Sequence, residues 1–285
     1  MERRNNMKHL KNWTSRWLVM VLFTILVMVP AAAELKAASN GAVLAGNVLG
    51  TGVSTVIRSL IMGNIKSFKD VSKCFVYGSA AGLGFYQSKA MAGKGNILSG
   101  VLLANLSASV AENVAMGEGP LDYLGFSFPF VHLQVATPLA KNPAAIFDVS
   151  FSSRDIVSFI TSIKNAKHVS FRNGLLTFTA DEPLAKGVMG WTTGIFPTTL
   201  SGGSSQVMAH EAIHAIQSLQ LMAVSPEPFL FRKSNPDRGS KALRFSGVRL
   251  QAFGLANDLV LHGLQKYDMR WKEIEAYYFS SPVTK

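Results

Sequence analysis

The stretch Ala209-His210-Glu211-Ala212-Ile213-His214-Ala215-Ile216-Gln217 carries the pattern His-Glu-x-x-His. On a helix, residues four apart share a face, so the imidazoles of His210 and His214 can hold one metal ion while Glu211 turns toward the ion's open side. Two histidines on successive turns suit Zn²⁺, and the carboxylate suits a general base that takes a proton from water acidified by the ion. This is the constellation of a zinc hydrolase. With six histidines in 285 residues, the pattern would arise by chance in about 0.4% of chains of this composition, so coincidence explains it poorly. The flanking sequence supports a helix. Ser204 and Ser205 can cap its start after Gly202-Gly203, and Ala209, Ala212, Ile213, Ile216 and Leu219 recur at helical spacing. The competing reading is a pair of ordinary core histidines beside that apolar stripe, with their nitrogens satisfied by neighbours.

A zinc site of this type needs a third protein ligand. The residues after His214, Ala215 to Gln220, contain neither Gly nor His, which excludes the metzincin pattern. The acids downstream are Glu227, Asp237, Asp258, Asp268, Glu273 and Glu275. Asp258 lies in Leu250–His262 and Glu273 in Arg270–Tyr278, and both segments read as helices. Glu275, two positions from Glu273, faces elsewhere on the same helix. His9, His132, His168 and His262 show no ligand spacing and read as structural or surface residues.

His210-Glu211-x-x-His214 followed by Glu273-x-x-Ala276 resembles the gluzincin metallopeptidases, in particular the branch whose third ligand opens a Glu-x-x-Ala-Asp motif on a later helix. The resemblance implies that Glu273 is the third zinc ligand, with Asp258 as its rival, and that Ala276 permits close helix packing. It implies further that the substrate is a peptide or protein, and that a sheet beside the active helix offers an edge strand to an extended chain. Tyr277 stands where that branch has Asp. The same two segments are also similar to uncharacterised bacterial envelope proteins with a Gly-rich front half.

The amino terminus points to export. Arg3, Arg4, Lys8, Lys11 and Arg16 precede an apolar run, Trp17 to Val29, which ends in Pro30-Ala31-Ala32-Ala33-Glu34. Residues 1–33 therefore read as a signal peptide, with an uncleaved amino-terminal anchor as the alternative. The expected location is the periplasm or cell envelope. The chain carries a net charge of +11. The five basic residues and Glu2 that precede Ala33 account for +4 of this, so a product cut there would carry +7. The excess gathers at Arg232, Lys233, Arg238, Lys241, Arg244 and Arg249, which read as a solvated loop able to meet anionic lipid. No nucleic-acid-binding signature accompanies it. Cys74 is the sole cysteine, so no intrachain disulfide can form and a packed core must hold the fold.

Residues 34–119 are rich in Gly, Ala, Leu and Val, and include Gly46-x-x-x-Gly50 and Gly78-x-x-x-Gly82. Helices are expected near Ala42–Met62, Val71–Met91 and Ile97–Met116, buried or at a membrane surface, with a turn at Gly93–Asn96. Neither Gly-rich stretch completes a phosphate-binding or dinucleotide-binding pattern. Beyond Gly119-Pro120 the residues turn aromatic and β-branched. Strands are expected at Phe126–Val135, Ala145–Phe151, His168–Phe171, Leu175–Thr179 and Gly187–Phe196, with a short helix at Asp155–Asn165 and a hairpin turning at Asn173-Gly174. The edge strand is expected at Gly187–Thr199, where Pro197 suits an edge or a strand end.

The fold class expected is α+β: a Gly/Ala-rich helical part, then an antiparallel sheet with zincin-like active-site helices across residues 120–285. The function expected is that of an exported zinc-dependent metallopeptidase, with metal ligands His210, His214 and Glu273 and catalytic Glu211. The rival is a non-catalytic zinc-binding envelope protein whose Gly-rich helices meet a membrane or partner. A third reading is a decayed enzyme that keeps the motif for packing. Tyr277, Tyr278 and His262 are oxyanion candidates by residue type alone.

Overall fold

A computed structural model describes residues 40–127, 131–140, 145–164, 166–183, 188–225, 241–249 and 271–280. The signal or anchor segment, most of the basic stretch, Asp258 and His262 lie outside them. Three helices come first: α1 (Asn40–Ile61), α2 (Phe68–Gly93) and α3 (Ile97–Ala115). Ser67 and Asp70 start α2 as a capping box: the Ser67 hydroxyl accepts from the Asp70 N–H, and the Asp70 carboxylate accepts from the Ser67 N–H. Gly95, at φ +89°, turns the chain from α2 into α3.

α2 lies between α1 and α3, and glycines set the spacing. A Cβ at Gly78 would come within 2.6 Å of the Thr55 hydroxyl, and one at Gly82 would run into the Asn47 carbonyl. On the other side, a Cβ at Gly100 of α3 would lie 2.6 Å from the Ser88 carbonyl. The Gly-x-x-x-Gly at 78–82 therefore serves helix contact inside the protein.

Two four-stranded sheets follow. The first has the order β1 (Tyr123–Ser127), β2 (Val131–Ala136), β3 (Ala145–Ser152), β8 (Lys241–Arg249). The second has the order β4 (His168–Arg172), β5 (Leu175–Ala180), β7 (Phe196–Leu200), β6 (Gly190–Thr193). Helix α4 (Ser153–Lys164) joins β3 to β4, α5 (Ser205–Val224) follows β7, and α6 (Trp271–Ser280) ends the described chain. The architecture is α+β, but the expected antiparallel sheet is corrected to two mixed ones: β3 runs parallel to β8, and β5 parallel to β7. Both parallel pairs join strands that are not consecutive, and connections that long leave strand direction free.

Three further readings change. Phe126–Val135 is divided between β1 and β2, paired with Leu124 opposite Val135. The expected edge strand is a hairpin, β6 and β7, turned at Gly194 with φ +62°. Pro197 therefore sits in an inner strand. It is tolerated because it pairs only with Thr192 of β6, while the bonding of β7 to β5 begins at Thr198. Within the basic stretch, Lys241–Arg249 is a strand instead of a loop. The β4–β5 hairpin does turn at Asn173 and Gly174, both at positive φ (52° and 78°).

One core cluster unites helices and sheet. Phe85 of α2, Val101 of α3, Phe178 of β5, Phe196 of β7, Ile213 of α5 and Ala276 of α6 all belong to it. Phe159 of α4 packs edge-on against Phe178, with centroids 6.0 Å apart, and tilted against Phe196 at 5.8 Å. A second junction is polar. Glu112 of α3 accepts from Gln134 at 3.1 Å, lies 3.0 Å from His132 Nε2, and faces Arg58 of α1 at 3.7 Å. It ties the first sheet to the helices.

Asp155, in the first turn of α4, is buried, and burial pushes its carboxyl from 3.8 up to about 6 against the opposing effects of Ser152 and Arg154. The folded chain thus holds a proton that the unfolded chain has already released. Stability should fall as pH rises from 3.8 towards about 6, by up to about 3 kcal/mol. Asp155→Asn should be more stable than the parent at pH 7 by up to that amount, with the gap closing by pH 4. Urea titrations at the two pH values check this, and equal stabilities at pH 7 would show that the carboxylate is not strained.

Candidate metal centre

Helix α5 begins at Ser204, whose hydroxyl accepts from the Val207 N–H. The helix presents His210 and His214 on one half-buried face and Glu211 on its buried flank, 4% exposed. Helix α6 lies against it with Ala276 fully buried, and brings Glu273 to the two imidazoles. Glu273 Oε2 stands 3.5 Å from His210 Nε2 and 3.4 Å from His214 Nε2, and the two Nε2 atoms are 3.2 Å apart. Ligand bonds of about 2.0–2.1 Å around a tetrahedral ion place neighbouring donor atoms about 3.3 Å apart, so the three donors already mark one face of such a tetrahedron.

The hydrogen bonds decide which nitrogens carry protons. Gln217 Nε2 donates to the Lys272 carbonyl at 3.0 Å and to Glu275 Oε2 at 2.8 Å, which leaves Gln217 Oε1 as the acceptor facing His214 Nδ1 at 2.8 Å. The Ser280 hydroxyl donates to the Ala276 carbonyl at 2.7 Å, so it accepts from His210 Nδ1 at 3.1 Å. Each imidazole is therefore protonated at Nδ1 and presents a lone pair at Nε2. Two lone pairs and a buried carboxylate oxygen without a hydrogen-bond partner, Glu273 Oε2, converge on one point. Such a cluster of acceptors needs a cation.

Without a metal ion, a proton shared by the imidazoles meets the same need for positive charge. Burial alone would raise Glu273 and lower His214. The imidazoles outweigh it and hold the Glu273 carboxyl below the usual range, while Glu273, Glu211 and Gln217 hold His214 above its own. Glu211 goes the other way. Burial pushes its carboxyl up, against His214, Thr192 and His210. The Thr192 hydroxyl of β6 lies 2.8 Å from Glu211 Oε2 and 2.9 Å from the Glu211 carbonyl, donating to one at a time. Gly190 lets β6 approach: a Cβ there would stand 3.0 Å from Glu211 Cγ and 2.7 Å from Val207.

Behind the metal face is a second layer. Glu275 turns away from Glu273 and forms a buried ion pair with Lys89 of α2 at 2.8 Å. Lys89 Nζ also donates to Asn47 of α1 at 2.8 Å and to Gln220 of α5 at 2.6 Å. One chain of bonds thus runs from His214 through Gln217 and Glu275 to helices α1 and α2. Of the oxyanion candidates, Tyr277 is 52% exposed with its ring centroid 4.7 Å from that of His210, whereas the Tyr278 hydroxyl donates to Asn40 at 2.6 Å, on the α1 side. His132 is buried at Glu112, and His168 starts an exposed strand. Gln217, Ser280, Thr192 and Lys89 went unread in the sequence; only Gln217, three residues after His214 on the same helical face, carried a signal there.

Comparison with protein-family models, with curated proteins and with solved structures gives no match.

Burial lowers the Lys89 ammonium from its ordinary value, and Glu275 opposes that shift. Lys89→Met should cost about 3–5 kcal/mol, because it strands the Glu275 charge. Lys89→Met with Glu275→Gln should recover most of the loss. Denaturant titration of the three chains measures both, and a double variant no better than the single one would mean that the pair is not the coupled unit described.

Proposed function

We propose that this protein is an exported zinc-dependent metallopeptidase in which His210, His214 and Glu273 hold the ion and Glu211 is the general base. The observation that carries the reading is the convergence of two Nε2 lone pairs and the unpartnered Glu273 oxygen, a His₂Glu donor set of the kind that leaves one coordination position open. When bound, zinc would supply a Lewis acid for the scissile carbonyl and acidify the attacking water. Glu211, raised by burial, would take that water's proton and pass it to the leaving amine. Thr192 and Gly190 fix the carboxylate's position. They sit on β6, the edge of its sheet, and an edge strand next to the base supports a substrate that binds as an extended peptide. The exposure of Tyr277 beside His210 supports it as a side chain that would meet substrate.

Purified protein should contain about one zinc per chain, and His214→Ala should lose it. Glu211→Gln should keep the metal and lose about 10²–10⁴-fold in the hydrolysis of a peptide library followed by mass spectrometry. Undiminished cleavage by Glu211→Gln would overturn the mechanism, and full zinc in His214→Ala would overturn the site. Gln217→Leu removes the acceptor from His214 Nδ1 and should weaken zinc binding about 10–100-fold in competition with a chelator.

A further inference from the structure

We propose that the outer face of the α1–α3 layer docks on the anionic surface of a lipid bilayer. The inner side of that layer is committed to the body of the protein, through Asn47, Lys89 and the core residues that meet α5 and α6. The outer side is apolar and uncovered. Leu98, half-exposed beside Gly174 of the β4–β5 turn, Leu102 and Leu106 recur at four-residue spacing along α3; Val76 and Leu83 stand seven apart on α2, away from its two glycine contacts; Leu49 is exposed on α1. Helices α1 and α3 are each long and apolar enough to cross a membrane by length and composition; the apolar 18-residue stretch is 67% buried in α3 but only 33% buried in α1. An apolar helix so little covered by its own chain calls for an apolar neighbour.

Two observations favour lipid over a second copy of the chain. The first is charge. Of the charged side chains between residues 40 and 115, Arg58, Lys89 and Glu112 are buried, and Lys73 is half-buried and donates to the Glu118 carbonyl at 2.8 Å, while Lys66, Lys69 and Lys94 stand exposed near the ends of α2 with Asp70 among them. Beside them Phe68 is 83% exposed. Lysines and an aromatic ring at the rim of an apolar face fit an anionic headgroup layer, whereas two copies would bring like charges together. The second is the tether. The apolar run Trp17–Val29 ends ten residues before Asn40, a length that spans at most about 36 Å fully extended. Kept as an anchor, that segment would hold this layer close to the membrane; cut after Ala33, it would leave charge alone to favour lipid. The inference does not rest on the zinc reading.

The test uses the full chain with vesicles of phosphatidylglycerol and phosphatidylethanolamine that carry nitroxide-labelled lipid. Cys74 is buried, so a fluorophore can be attached selectively to Leu102→Cys, Leu49→Cys or, as a control, Val157→Cys. Leu102 and Val157 are comparably exposed, at 53% and 62%, but Val157 lies on α4, outside the layer. Quenching should be several-fold stronger at 102 and 49 than at 157, and should weaken in phosphatidylcholine alone. Leu98→Ser with Leu102→Ser and Leu106→Ser, confirmed as folded by circular dichroism, should reduce partition to the anionic vesicles by about tenfold or more. Equal quenching at all three positions, or none at 102, overturns the proposal. So does a lipid-free dimer that the triple variant dissociates, which would assign the face to a second copy.

Discussion

The ion pair between Lys89 and Glu275 holds four helices to one point. Its charges are almost wholly removed from water, and each is tolerated only because its remaining bonding capacity is met, Lys89 by Asn47 and Gln220, Glu275 by Asn47 and Gln217. The pair therefore fixes the rotation of α6 about its own axis. With Glu275 turned toward α2, Glu273 two residues earlier has to face the histidines. Gly93 allows the approach, since a side chain there would collide with the Phe279 carbonyl. Buried charge is a poor source of net stability, but it specifies an arrangement, because every alternative docking of α6 would leave an ion unpaired.

The same helix contact sorts two carboxylates into opposite roles. Glu273 sits between two imidazoles and is held ionised; Glu211, one residue from His210, is buried beneath β6 and is pushed toward its protonated form. Divergent environments thus push two neighbouring acids of one cluster apart in their titration. Hydrogen bonds from Nδ1 of both histidines to Ser280 and Gln217 complete the division, leaving both Nε2 atoms on the side of Glu273.

The helices were legible in the sequence because glycines and caps punctuate them. The observed α3, Ile97–Ala115, ends one residue short of its expected bound, and Ser204 caps α5 as its position suggests. The paired histidines were legible because their spacing equals one helical turn. Strand partnership was not. A run such as Lys241–Arg249 records only its own residues, and its pairing with β3 depends on where a long connection returns. Pro197 was legible in part: it lies at a strand end, next to the first residue of β7, but in an inner strand, because a missing N–H matters only where a neighbour needs it. Glu275 and Lys89 are 186 positions apart, and no local pattern announces such a partner.

The metal face depends on α6. The two histidines lie together on α5, but Glu273 comes from the separate helix α6, which is aligned by residues from α1 and α2. A chain cut before Trp271 would carry the His-Glu-x-x-His helix without the carboxylate that stands against it. Completion of the three-residue cluster is thereby coupled to closure of the whole fold.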